Sequence, residues 1–345
     1  MNANPETLLR EAHRELEHAR RSGDSLLTAR ALVNYANALA QAGQFINGRD
    51  ALDAAARLYH EAGQPQDEAL ASYFAASMSR FAGDLPGASE RAHYVLTLTD
   101  DTSAARVGAF LEIGDVALDN EDYQTTIEAL LEGQRLAKAF EFPAAQQAAI
   151  AGKLAQAYGK LEQFDDALGQ LKQSAALLQA AGEPLGAAHA LVDRANLLEA
   201  LDRTPEATWV LGEAEALAQT VNGAGVLCQA EMLRAAQSLK QRDMRAALAH
   251  ARQGEAFAVQ AGDAINFTGA AILISELHDR LDERVQAYGS LASGWVTLES
   301  FLGAEVAKAT FEPRLIALRS KWGEPEFMRA RQAYEAERRR ARGLS

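Results

Sequence analysis

The sequence predicts an all-α solenoid of about seven stacked helical hairpins, with capping helices at both ends. Three observations carry that prediction. Ala, Leu, Glu, Gln and Arg dominate, aromatics make up 7% and there are only eight prolines in 345 residues, a helix-favouring composition. A phrase recurs as LEQFDDALGQL (161–171), LDRTPEATWVL (201–211) and KQRDMRAALAH (240–250). Small side chains then fall in fixed columns of that phrase, and no long Val/Ile/Thr alternation of the strand type is present.

The first element is a charged amphipathic helix over 5–22, with Pro5 near its start, where a missing N–H costs nothing. Residues 1–23 are therefore read as an N-terminal cap. Residues 24–300 carry the repeats. Taking the residue at each turn as an anchor gives Gln44, Asp84, Asp122, Gln163, Arg203, Asp243 and Glu283, at intervals of 40, 38, 41, 40, 40 and 40. Self-similarity of this length signals a supersecondary unit that buries its apolar face only by stacking on its neighbours.

Columns around the anchor test the register. Eight residues before it stand Ala36, Ala76, Gly114, Ala155, Ala195, Ala235 and Ser275. Four after it stand Gly48, Ala88, Thr126, Ala167, Ala207, Ala247 and Ala287. Eleven after it stand Ala55, Val95, Gly133, Ser174, Ala214, Gly254 and Gly294. Small residues at fixed places on two successive helices let the backbones approach closely. The eighth position after the anchor, usually Leu, supplies the knob between them. Ala-Gly pairs at 62–63, 181–182 and 261–262 suit left-handed caps at the ends of second helices.

These columns resemble the tetratricopeptide repeat family, best in AGQFINGRDAL (42–52), NEDYQTTIEAL (120–130) and LEQFDDALGQL (161–171). The other units replace the aromatic after the anchor with Leu85, Thr204, Met244 or Arg284 and are divergent. The resemblance implies a right-handed superhelix whose first helices line a concave face. The period exceeds the ~34 residues usual for the family, which predicts longer helices and longer loops. Residues 301–345 lack the small columns and carry Pro313. A turn at Gly323-Glu324 followed by Pro325 marks a closing pair of capping helices with a basic tail.

The formal charge is −13, a surface that disfavours nucleic acid and anionic membranes. Residues 329–345 differ, with six arginines against two glutamates, which suits either an acidic partner or a solvated helix end. One cysteine, Cys228, excludes an internal disulfide and a cysteine metal cluster. The charged N-terminus and the lack of any run of ~18 apolar residues predict a cytoplasmic protein with no membrane insertion. No phosphate loop, nucleophile elbow or paired-histidine zinc helix occurs, and NGAGVLC (222–228) reads as an interhelical loop. The expectation is a protein with no catalytic residues, no metal and no cofactor.

The implied concave face should present the column seven before the anchor: Asn37, Ser77, Asp115, Gln156, Asn196, Ala236 and Glu276. Neighbouring positions add Arg30, Asn34, Lys153, Lys160, Asp193 and Lys240. All but Ala236 are polar, which suits either an open solvated surface or a groove whose amides bind an extended peptide. The family's carboxylate clamp is matched only in the first unit, by Arg30, Asn34 and Asn37, and the next unit offers Leu70, Phe74 and Ser77 instead. Tyr73, Phe74, Met78 and Phe81 read either as core between repeats or as an anchor pocket. The expected function is a scaffold or adaptor that binds a peptide or partner domain in the groove. The alternative is a regulator responsive to a ligand or signalling peptide and acting on another protein. Trp295, Phe301, Phe311, Trp322 and Phe327 serve either to seal the last repeat or to support self-association through the C-terminal units.

Overall fold

The computed structural model describes residues 4–341, so Arg342 to Ser345 of the basic tail and the first three residues of the expected N-terminal cap lie outside it. Seventeen α-helices and no strand occur among the described residues. They fall into two compact units, Met1–Ala181 and Gly182–Ser345.

The first unit opens with α1 (Pro5–Ser22) and four hairpins, α2/α3 (Ser25–Gln41, Phe45–Glu61), α4/α5 (Pro65–Phe81, Leu85–Leu98), α6/α7 (Ala104–Asp119, Tyr123–Ala139) and α8/α9 (Ala144–Lys160, Phe164–Ala180). The second holds α10/α11 (Pro184–Ala200, Thr204–Thr220), α12/α13 (Ala224–Lys240, Met244–Ala261), α14/α15 (Ala264–Arg280, Arg284–Leu302) and the closing pair α16 (Ala304–Trp322) and α17 (Glu324–Ala341). Within each unit every helix packs against the next in sequence, the arrangement of a helical solenoid.

All seven anchors are helix N-caps, from Gln44 before α3 to Glu283 before α15. Asp84, Asp122 and Asp243 accept a backbone N–H from the first turn, satisfying one of its orphan donors. The residue just before each anchor is left-handed. It is Gly43 and Gly83 in the first two turns, then Glu121, Glu162, Asp202, Arg242 and Asp282, with φ between 55° and 63° in those five. The expected left-handed caps at Gly63, Gly182 and Gly262 are present, with φ of 64°, 73° and 68°.

Two 17-residue helices and two three-residue turns make the forty-residue period. The helices are longer than the family norm, as expected. The loops are not, because the left-handed residue reverses the chain in minimal length. The departures have local causes: α5 has 14 residues and α6 has 16, while the connection between them, 99–103, is two residues longer than the usual turn, and together these shorten one interval to 38. Phe140 to Pro143 adds one residue to a turn and lengthens the next to 41.

All three small columns are buried throughout. Gly114 lies under Leu130, Gly133 under Leu111 and Gly294 under the Phe311 ring, so a Cβ at any of these would meet side-chain atoms within 3 Å. The leucine column is buried at Leu52, Leu130, Leu211 and Leu291, whereas Leu171 is half-buried and Leu168 takes its place in the core. The terminal aromatics pack inside the second unit. Phe311 is fully buried, Phe301 stands edge-on to Phe267, and Trp322 donates its indole N–H to Asp279 at 2.7 Å. Tyr334 of α17 closes over Tyr288 and Gly289. Pro313 sits inside α16, which continues through it. No helix among the described residues is long and apolar enough to cross a membrane.

Candidate partner-binding surfaces

The outward faces of the first helices are where the polar column projects. In the first unit Asn37 and Gln156 are exposed and Ser77 and Asp115 are half-buried. Each follows directly on a buried small residue, Ala36, Ala155, Ala76 or Gly114. One step of helix rotation thus separates the sealed seam from the open face.

The half-buried members of the column are committed to a network across three successive first helices. Arg80 of α4 reaches Glu112, Asp115 and Asp119 of α6 at 2.8, 3.4 and 3.5 Å, and Lys153 of α8 pairs with Asp115 at 2.5 Å. Ser77 stands beside Glu112. Burial pushes the Glu112 carboxyl above the usual range, although Arg80 pulls it the other way. Lys160 is exposed at the end of α8.

In the same unit a cleft of about 560 Å³ lies between α1 and α2, lined by Arg30 and Asn34, by Arg14, Glu15 and His18 of α1, and by Ala19, Leu27 and Ala31. On the opposite, second-helix side, a cleft of about 350 Å³ is floored by Glu68 and Ser72. Glu68 is buried there and accepts from the Tyr94 hydroxyl at 2.5 Å, with His60 Nδ1 at 3.1 Å. Tyr73, Phe74 and Met78 belong to the core between repeats. Phe81 is 55% exposed, stacked on Phe45 and with the Arg80 guanidinium 4.7 Å from its ring centre.

In the second unit Asp193 and Asn196 of α10, Ala236 of α12 and Glu276 of α14 are all exposed. Lys240 is tied back to Glu199 at 2.7 Å and Asp202 at 3.0 Å. Burial alone would raise the Glu199 pKa, but hydrogen bonds from Lys240, Gln237 and Thr204 outweigh it and hold the carboxyl below its ordinary value. Further along, buried His278 has Nδ1 2.6 Å from Glu283, while Arg252 donates to Nε2 at 3.0 Å. An imidazole that accepts from a guanidinium must be neutral, and burial accordingly lowers its pKa.

Arg80, Glu112, Glu199 and Gln237 are the polar residues that sequence reasoning missed. A signal existed: Arg80–Asp119, Asp115–Lys153 and Glu199–Gln237 are pairs 39, 38 and 38 residues apart, about one repeat. Arg14 and His18 carried no such signal, because α1 lies outside the repeats.

Hairpins of near-equal helices, small residues at every crossing and a left-handed turn before each second helix define a helical solenoid of the tetratricopeptide type. Solved structures of that class superpose on the chain. A signal-transduction ATPase with a tetratricopeptide repeat sensor, from Pyrococcus horikoshii, is 12% identical with a TM-score of 0.63, covering 88% of this chain and 46% of that one. Aspartyl phosphate phosphatase F from Bacillus subtilis is 15% identical with a TM-score of 0.55, covering 100% and 95%. The apo quorum sensor NprR from B. thuringiensis is 13% identical with a TM-score of 0.51, covering 87% and 92%. No family profile and no curated protein matches the sequence.

Proposed function

We propose that the chain is a non-catalytic interaction module that holds a peptide segment or partner domain on the outward first-helix face within each unit, with α1 and the α16–α17 pair as caps. One observation carries this reading: in both units an exposed polar side chain directly follows a buried small one, Asn37 after Ala36, Gln156 after Ala155, Asn196 after Ala195 and Glu276 after Ser275. Side-chain amides donate and accept at once, so the exposed ones offer an extended backbone both halves of a hydrogen-bond pair. The sole cysteine supports the non-catalytic part, since burial pushes the Cys228 thiol up to about 11 and leaves no thiolate nucleophile at neutral pH.

A second reading, a peptide-responsive regulator, is favoured by the fold shared with a quorum sensor and with a repeat sensor of a signalling ATPase. Scattering with and without a bound peptide separates the two, because a regulator of this kind changes its radius on saturation. The first reading is tested by affinity purification with mass spectrometry from native extract, using the wild-type chain and the triple variant Asn37→Ala, Gln156→Ala, Asn196→Ala. All three side chains are exposed, so helicity by circular dichroism should persist while a stoichiometric partner is lost. Retention of that partner by the variant rejects the groove.

A further inference from the structure

The closing helix α16 has two apolar faces, and the second unit uses only one of them. Ala307 and Phe311 are its buried residues, with Leu315 and Leu318 half-buried beside them against the core. On the opposite side Val306, Ala309, Pro313, Ile316 and Ser320 follow at intervals of 3, 4, 3 and 4, and all five are exposed. Val306 is 43% and Ile316 59% exposed. That spacing is the stripe by which two helices pair. The other capping helices differ: among the described residues α1 and α17 expose no large apolar side chain, which is what a solenoid end needs to stay in solution. Trp295, Phe301 and Phe311 join the core that α16 covers, so the terminal aromatics leave its outer stripe bare.

Charge selects the occupant and its direction. The first half of α16 carries Glu305, Lys308 and Glu312, and the second half carries Arg314, Arg319 and Lys321. Arg319 pairs with Glu324 and Lys321 with Asp279, whereas Glu305, Lys308, Glu312 and Arg314 have no ionic partner among the described residues. A second α16 laid parallel to the first would set two basic halves together. Laid antiparallel, about a twofold axis at the level of Phe311, it brings Val306 opposite Ile316 and Ala309 opposite Pro313. Lys308 of each chain then comes level with Glu312 of the other, and Glu305 with Arg319. The small Ala309 at the centre lets the helices approach closely. An anionic lipid surface fits less well, because the chain carries a net charge of −13.

We propose that the exposed face of α16 is the self-complementary interface of a twofold homodimer, covered by the α16 of a second copy of this chain in antiparallel alignment. This surface is separate from the polar column and goes beyond the binding reading above. Each helix has 19 residues, a length of about 28 Å. One such pair buries less than the roughly 1,600 Å² of a standard interface, so the dimer should dissociate in the micromolar range.

Sedimentation velocity of the full chain between about 1 and 200 µM, a range that brackets such a dissociation constant, tests it. The mass should rise with concentration from monomer to dimer. Val306→Glu/Ile316→Glu should weaken the dimer about tenfold or more, since it sets carboxylates in the paired stripe. Lys308→Glu and Glu312→Lys should each weaken it about fivefold, because each places like charges opposite one another twice. The two together should restore wild-type association, since the swap rebuilds both symmetry-related pairs. Lys308 and Glu312 are exposed and unpaired, so the swap decides the question even where the apolar variant loses helicity. A monomer at every concentration overturns the proposal, as does a dimer indifferent to the folded apolar variant. Single charge variants that the swap does not rescue overturn it too. A monomer that binds phosphatidylserine vesicles, and loses them in Val306→Glu/Ile316→Glu, would assign the stripe to a lipid surface instead.

Discussion

Arg80 on α4 and Glu112 on α6 form an ion pair at 2.8 Å, with the carboxylate only 4% exposed and the guanidinium 18%. The two residues lie 32 apart in sequence and join the first helices of successive hairpins. Arg80 also serves Asp115 and Asp119, and Lys153 shares Asp115, so two cations balance three acids in a seam otherwise closed by alanine and glycine.

Removing that cation leaves Glu112 buried and unpaired. Arg80→Ala should lower stability by about 3 kcal/mol, the usual scale for breaking a buried pair, less whatever Glu112 recovers by taking up a proton. Arg80→Met with Glu112→Leu should cost much less, because neither charge is then stranded. Urea denaturation of the two variants checks this, and equal losses would show that packing rather than charge is at stake.

His278 should make the second unit sensitive to acid. Its folded pKa lies below the ordinary value, chiefly through burial, so the unfolded chain takes up the proton first. Stability is therefore full above about pH 6.5 and declines as the pH falls below it, levelling off under the folded pKa. Protonation also turns Nε2 into a donor facing Arg252 and removes their 3.0 Å contact. Thermal melts between pH 7.5 and pH 5 should show this slope in the wild type, and His278→Gln should flatten it.

Glycines of α14 and α15 should respond in opposite directions to the same change. Gly294→Ala places a methyl 2.9 Å from Cζ of the fully buried Phe311, and should destabilise by about 1–3 kcal/mol through overpacking. Gly269→Ala meets nothing within 4 Å in mid-helix and should stabilise by roughly 0.5–1 kcal/mol. Denaturant midpoints of the two single variants decide it.

Much of the fold is legible in the sequence because a repeat writes its constraints many times. The seven anchors coincide with seven N-caps, and every member of the three small columns is buried, since close helix crossings admit little else. The turn length was misread: a longer period suggested longer loops. A left-handed Glu162 or Arg242 closes the turn in three residues, and a non-glycine residue gives no hint of positive φ. The candidate site was only half legible. Asn37, Gln156, Asn196 and Glu276 are exposed, whereas Ser77 is half-buried and Asp115, Lys153 and Lys240 are drawn into ion pairs between helices.

The sequence alone therefore determined the repeat, its register and the identity of the sealed face, because a small residue beside a crossing helix is a local requirement that recurs with the period. Only the tertiary structure decided which polar side chains remain free for a partner. Whether Arg80 meets Glu112, or Lys240 meets Glu199, depends on how neighbouring helices outside any one repeat come to lie, and charges reach across that distance while the pattern within a repeat does not.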